Sequence, residues 1–196
     1  LAVTSIFGTV ALADGEEEFM KNCFLLTDKP VIYAANIAED DMGKDEDSIP
    51  FVVKVKEFAA QEGAEVLVIC AKTEEELSQM DDEDKAMFME DAGLTEPGVN
   101  KLVRYAYSTL KLQSFFTTGT DETRAWTIHI GDTAPVAAGV IHSDLQRGFI
   151  RAEVMSTDDF LKYGSEAAVK EAGKFRVEGK NYIVQDGDIL NIRFNV

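Results

Sequence analysis

The sequence predicts two units in series: an α/β layer of buried parallel strands, then an α+β unit built on a mixed sheet. Three observations carry that prediction. Residues 31–36 and 66–70 are continuous apolar runs with one helical stretch between them, the pattern of parallel strands covered on both faces. From Gln113 onward the pattern turns to short alternating strands broken by turns and short helices. The charge changes at the same point. Through Leu112 there are 10 Lys+Arg against 24 Asp+Glu, a net of −14, and after it 9 against 12, a net of −3.

Taken in order, residues 1–24 read as the remnant of an upstream or arm-like region. Leu1 is not a start methionine, which points to a piece of something longer. The opening LAVTSIFGTVALA imitates a signal-peptide core with an Ala-x-Ala site, but no basic segment precedes the apolar run. Phe19, Cys23 and Leu26 then stand at helical spacing. Pro30 stops that helix and launches the first buried strand. The acidic stretch 39–47 reads as a solvated loop. Pro50 opens a helix with Val52, Val55, Phe58 and Ala59 on one face, and Gly63 ends it. Strand, helix and second strand make a βαβ unit. Thr73 with Glu76 reads as a capping box on the next helix, and Asp81 to Asp84 set acid at the start of another that Gly93 ends. Val99, Leu102, Val103, Ala106, Tyr107 and Leu110 then form an apolar stripe. Two parallel strands do not make a stable sheet by themselves, so residues 25–112 read as the later part of a larger α/β domain.

In residues 113–196 strands are predicted at 113–117, 122–130 and 149–155, with a small-residue helix around 135–140 and helices at 158–163 and 165–172. Strands at 174–177 and 182–185 follow, and Asp186-Gly187 predicts a hairpin turn into a strand at 189–194. A mixed sheet of about five strands crossed by one or two short helices is a β-grasp, or ubiquitin-like, arrangement.

Composition removes several functions. No apolar run approaches the ~18–20 residues that span a bilayer. A net charge of −17 gains little from counterion release on nucleic acid, so DNA sequence readout is not expected and any RNA contact needs a local basic patch. Arg124, Arg147, Arg151, Lys174, Arg176 and Lys180 are the candidates for one, against the alternative of an ordinary solvated surface. Cys23 and Cys70 read as reduced thiols of a cytoplasmic protein. His129 and His142 have no partner at metal or triad spacing. Asn36-Ile37-Ala38-Glu39 follows a buried parallel strand, at the sheet edge where open α/β proteins bind ligands. A carboxamide followed by a carboxylate can read a purine edge in the slot where P-loop GTPases carry Asn-Lys-x-Asp. Asn36 can equally turn the chain after the strand. Cys70-Ala71-Lys72 follows the next strand and lies beside it. No Gly-x-x-x-x-Gly-Lys-[Ser/Thr] phosphate cradle occurs in the chain.

The runs FFTTGTDETRAWTIHIGDTAPVAAGVIHSDLQRGFIRAEV and GSEAAVKEAGKFRVEGKNYIVQDGDILNIRFNV resemble the C-terminal TGS domain of the YchF/Obg-like ATPases. Upstream, LLTDKPVIYAANIAEDD resembles that family's altered base-recognition motif, and VLVICAKTEEEL its following loop. The resemblance implies a partial P-loop nucleotidase domain over 25–112 and a TGS domain over 113–196. It implies preference for ATP over GTP, with Mg²⁺ held by residues this chain does not carry. By the same resemblance Asn36 reads the adenine, Ile37 gives main-chain contact, Glu39 replaces the guanine-reading Asp, and Cys70, Ala71 and Lys72 form the base-side loop. It also implies contact with the ribosome, its RNA or translation-associated proteins. Two other readings stand beside it: a non-enzymatic RNA- or ribosome-binding module, and a GTP-binding switch. On any of them this chain alone is expected to be catalytically inactive.

Overall fold

A computed structural model describes residues 16, 19, 22–26, 29–119 and 122–195 of the chain. The signal-like opening lies outside the described residues, as do residues 17, 18, 20 and 21 of the helix expected over 16–26. The chain divides into two compact units, one up to Thr109 and one from Leu110.

In the first unit β1 (Ile32–Asn36) and β2 (Glu65–Ile69) pair in parallel, Asn36 opposite Ile69, and Ile37 N–H extends the ladder to Ile69 O at 2.9 Å. Helix α1 (Pro50–Glu62) connects them. Pro50 fits the first helical turn because its missing N–H has no helical acceptor there. Gly63 ends α1 in the left-handed region at φ 66°, where glycine carries no Cβ penalty. Val52, Ala59 and Leu67 are buried between helix and strands, each large apolar side chain contributing roughly 1.5–3 kcal/mol by leaving water. Between β1 and α1 the acidic segment is not a plain loop. It winds into two 3₁₀ turns, Glu39–Asp41 and Glu46–Ser48, and Lys56 reaches back to pair with Glu46 and Asp47.

Helices α2 (Ala71–Gln79), α3 (Asp82–Asp91) and α4 (Gly98–Thr109) follow. The acid expected at the start of α3 is there, and Asp81 caps the helix, accepting from Glu83 N and Asp84 N. The capping box at Thr73 is corrected: α2 starts directly off β2, so Thr73 lies inside the helix, buried, with its hydroxyl on Met42 Sδ. The start of α4 is capped by Glu74, whose Oε1 accepts from Gly98 N at 2.7 Å. A Cβ at Gly98 would sit 2.8 Å from that oxygen and 3.0 Å from Ile69 Cδ1, which explains glycine there. On α4 the apolar stripe leaves Val99, Leu102 and Val103 exposed.

The second unit contains a five-stranded sheet in the order β4-β3-β7-β5-β6. Its strands are β3 (Leu112–Thr118), β4 (Thr123–His129), β5 (Phe149–Ser156), β6 (Arg176–Glu178) and β7 (Asp188–Phe194). Helix α5 (Ala134–Ile141) follows β4, then the short α6 (Ser143–Arg147); α7 (Thr157–Tyr163) and α8 (Glu166–Glu171) follow β5. β7 runs parallel to β3 and antiparallel to β5, which makes the sheet mixed. Alternation sends Phe115, Ile128, Ala152, Val154 and Leu190 to one face, where the alanines of α5 allow close packing. Met155 and Ile189 face the other way onto Val169 and Phe160.

Two expectations fail here. Residues 182–185 are not a sheet strand, and only Thr133 and Ile183 bridge. Asp186-Gly187 is therefore not a hairpin turn. Asp186 Oδ1 accepts from Ser114 N at 2.8 Å, and Gly187, at φ 78°, donates to Ser114 O and accepts from Thr157 N. The dipeptide docks on β3 and feeds β7 in beside it. The strand expected at 174–177 is shifted and shortened to β6.

Candidate functional site

The residues named from the first unit's sequence come together at the carboxyl ends of β1 and β2. Asn36 Oδ1 accepts from Ala71 N at 3.0 Å, so a side chain on β1 caps the helix that leaves β2. Because the group facing Asn36 is a donor, the oxygen must face it, and Nδ2 is left pointing away. That amide nitrogen has no protein partner among the described residues. Three positions after Asn36 and one after Ala71, Glu39 and Lys72 meet: Lys72 Nζ pairs with Glu39 Oε2 at 2.7 Å and approaches Glu76 at 4.0 Å. The hydrogen bond to Glu39 raises the Lys72 pKa above its ordinary value. Cys70 is buried and Ile37 half-buried, while Asn36, Glu39, Ala71 and Lys72 are exposed. A cavity of about 460 Å³ opens beside them, walled by Ala34, Ala35, Ile37, Phe51 and Val55. A second, of about 270 Å³, lies against Ile69, Cys70 and Thr73. Glu76 was not foreseen as part of this cluster. Its only signal was an i,i+4 spacing from Lys72 on the same helix.

The basic residues of the second unit do not come together. Arg124 stacks on Trp126, 4.3 Å from the ring centroid, on edge strand β4. Arg176 is on the opposite edge strand, bound to Asp188 at 3.2 Å and near Glu178. Both project to the α5 side, whereas Arg151 projects to the other face near Glu153. Arg147 pairs with Asp144 on α6, and Lys174 is exposed ahead of β6. His142 caps α6 through Nδ1, and His129 stands exposed on β4.

Arg193, unnamed from the sequence, makes the best-formed ion pair on that second face. Its Nε and NH2 reach Glu153 at 3.1 and 3.0 Å. The hydrogen bond to Arg193 outweighs desolvation and holds the Glu153 carboxyl below its usual value. A depressed carboxyl pKa stabilises the fold above the unfolded value and loses that contribution as pH falls through the folded one. Glu153→Gln is thus expected to cost about 1 kcal/mol at neutral pH, with the difference from wild type shrinking as the pH is taken below 4.5. Urea unfolding followed by the fluorescence of the single tryptophan, Trp126, at both pH values checks this.

Comparison with known proteins bears on this cluster and on the second unit. Residues 112–195 match the family YchF-GTPase_C, described as "Protein of unknown function (DUF933)". "Ribosome-binding ATPase YchF" of Haemophilus influenzae is 48% identical over 188 residues, covering 96% of this chain and 51% of that protein. The chain belongs to the YchF/Obg-like family. "Obg-like ATPase 1" of Rattus norvegicus is 42% identical over 184 residues, 93% of this chain and 46% of its own length. The solved "Structure of the Schizosaccharomyces pombe YchF GTPase" superposes with a TM-score of 0.79 at 31% identity, over 94% of this chain and 49% of that one. The chain spans about half the length of the YchF relatives it matches. Among the described residues no helix is long and apolar enough to cross a membrane.

Proposed function

We propose that this chain is the C-terminal part of a cytoplasmic, ribosome-associated nucleotidase that prefers ATP to GTP, with its first unit supplying the base-side half of the nucleotide site. The orientation of Asn36 carries the reading. Its oxygen is committed to Ala71 N, so its amide nitrogen is held outward as a donor suited to an acceptor on a purine edge, such as N7. Ile37 and the loop Cys70, Ala71 and Lys72 border that position, with Glu39 held beside it by Lys72. The residues present therefore fit a purine base. They do not fit Mg²⁺: among the described residues no group of three or more His, Cys, Asp or Glu side chains stands ready to hold a metal ion. When bound, ATP would supply the reactive phosphoanhydride. The contribution of this chain is to orient its base, and no hydrolytic step is assigned to it. The five-stranded unit is read as a TGS domain of β-grasp type that docks on the ribosome. The names of the YchF relatives support that partner. The separation of Arg124, Arg151 and Arg176 speaks for docking on a protein or through small patches rather than through one basic face.

Asn36→Ala is the direct test. In the full-length protein it is expected to weaken ATP binding about tenfold, the worth of one lost polar contact with a fixed donor, as measured by titration calorimetry. Unchanged affinity for both ATP and GTP would remove Asn36 from the site. The alternative of a GTP-binding switch predicts tighter GTP than ATP binding in the same wild-type measurement.

A further inference from the structure

The ion pair between Glu39 and Lys72 joins two loops that Asn36 and Ala71 already tie together. Glu39 leaves β1 and Lys72 opens α2, so the pair is non-local, although Lys72 has a shorter-range partner available. Lys72 has Glu76 one helical turn along at 4.0 Å yet sits at 2.7 Å from Glu39. Both side chains are exposed, so the pair contributes little to stability by itself. Its consequence is chemical. A free carboxylate has two oxygens and accepts two parallel N–H bonds, the arrangement that suits the N1–H and exocyclic N2–H₂ of guanine. Lys72 occupies Oε2, which leaves Oε1 as the oxygen without a partner among the described residues. One free oxygen still accepts one donor, and the exocyclic amine of adenine supplies one. It matches the paired donors of guanine less well, because the second N–H would have to share Oε2 with an ammonium that only donates and repels it.

We propose that Lys72 is a specificity-determining residue that acts through Glu39: by holding one carboxylate oxygen it weakens the bidentate match to guanine and leaves a site that favours adenine. This rests on the assignment of Asn36 and its neighbours as the base-reading edge. It goes beyond that assignment by placing discrimination between the two purines in the ion pair rather than in Glu39 alone. Lys72 is a positioning residue here, because it need not touch the nucleotide to act.

The test is a set of calorimetric titrations with ATP and GTP on the full-length protein and its Lys72→Met, Lys72→Arg, Glu39→Gln, Lys72→Met/Glu39→Gln and Asn36→Ala variants. Lys72→Met keeps the length of the side chain and frees the carboxylate. It is expected to lower the ratio of ATP to GTP affinity about tenfold, chiefly through tighter GTP binding, the worth of one charge-assisted hydrogen bond regained. Lys72→Arg should keep the wild-type ratio. The double variant should lose the gain in GTP affinity, because no carboxylate remains to take the second donor. A merely structural role for Lys72 would weaken both nucleotides in parallel and leave the ratio alone. If Asn36→Ala weakens binding while Lys72→Met leaves the ratio unchanged, the ion-pair proposal is overturned and the base-reading edge stands. If Asn36→Ala changes neither affinity, the base-reading assignment falls and takes this proposal with it. Should Lys72→Met fail to fold, Lys72→Gln is read against the same expectations.

Discussion

Asp188→Ala is expected to destabilise the five-stranded unit by about 3 kcal/mol, seen as a fall in the urea midpoint of Trp126 fluorescence. Asp188 opens β7 with only 2% of its surface exposed. Its Oδ2 accepts from the Tyr182 hydroxyl at 2.6 Å and from Gln185 N at 2.9 Å, and its Oδ1 from Arg176 at 3.2 Å. Alanine would leave all three donors without that acceptor. Arg176 is 43% exposed at its side chain and can turn to water, so its share of the loss is the smallest. Tyr182 and the Gln185 amide cannot escape as readily. Asp188→Asn, which keeps an acceptor oxygen and gives up the charge, is expected to lose about half as much.

The same carboxylate leaves a second signature. Burial and then the bond to Asp188 push the Tyr182 phenol up to about 12. A raised pKa means that the folded chain holds this proton more tightly. The associated stability is complete below the ordinary value of 10 and is lost as pH rises from 10 to about 12. In Asp188→Ala, one of the five tyrosines should therefore ionise at lower pH in an absorbance titration. A midpoint and a titration curve both equal to wild type would remove Asp188 from its anchoring role.

That anchor also marks where the sequence stopped being readable. The strands of both units were legible because apolar runs and alternation are local patterns: β1, β2, β3, β4, β5 and β7 lie where those patterns put them, within a residue or two. Residues 182–185 carry the same pattern without being a strand, because Asp188 holds the Tyr182 hydroxyl and Gln185 N of that segment while Asp186 binds β3. Asp186 Oδ1 goes to Ser114, seventy-two residues upstream. The start of α2 was misplaced for the same reason. Its cap is Asn36, thirty-five residues away on another strand, while Thr73 offered a local signature that the structure does not use. In the candidate site, residue type and position at strand ends named Asn36, Ile37, Glu39, Cys70, Ala71 and Lys72. Which atoms they commit to each other, and so which remain for a ligand, depended on the register of β1 on β2. The arginines show the converse case. Their presence in the second unit said nothing about which sheet face each would take, and β alternation separated Arg151 from Arg124 and Arg176.

Phe115→Ala and Phe116→Ala should differ sharply although the two residues are adjacent. Successive side chains on a strand leave by opposite faces, so on β3 the pair is divided between two environments. Phe115 is fully buried in the main core with Ile128, Ala152 and Leu190, under the small side chains of α5. Its truncation removes the transfer free energy of the ring and leaves a void that the alanine-lined helix has little side-chain bulk to fill. The expected loss is about 3–5 kcal/mol. Phe116 packs at the margin of the smaller cluster of Met155, Val169 and Ile189, and is only partly buried. Its ring keeps some contact with water in the folded state, and the gap left by its removal opens to solvent instead of becoming an empty cavity. Its loss should be nearer 1–2 kcal/mol. Trp126 faces Phe115 across β4 in register, so the Phe115 variant should also alter the tryptophan emission of the folded protein, whereas Phe116, opposite Ala125, should leave it unchanged. Equal losses for the two variants would mean that the second face of the sheet carries as much of the core as the first, and that the division between the two clusters has no energetic meaning.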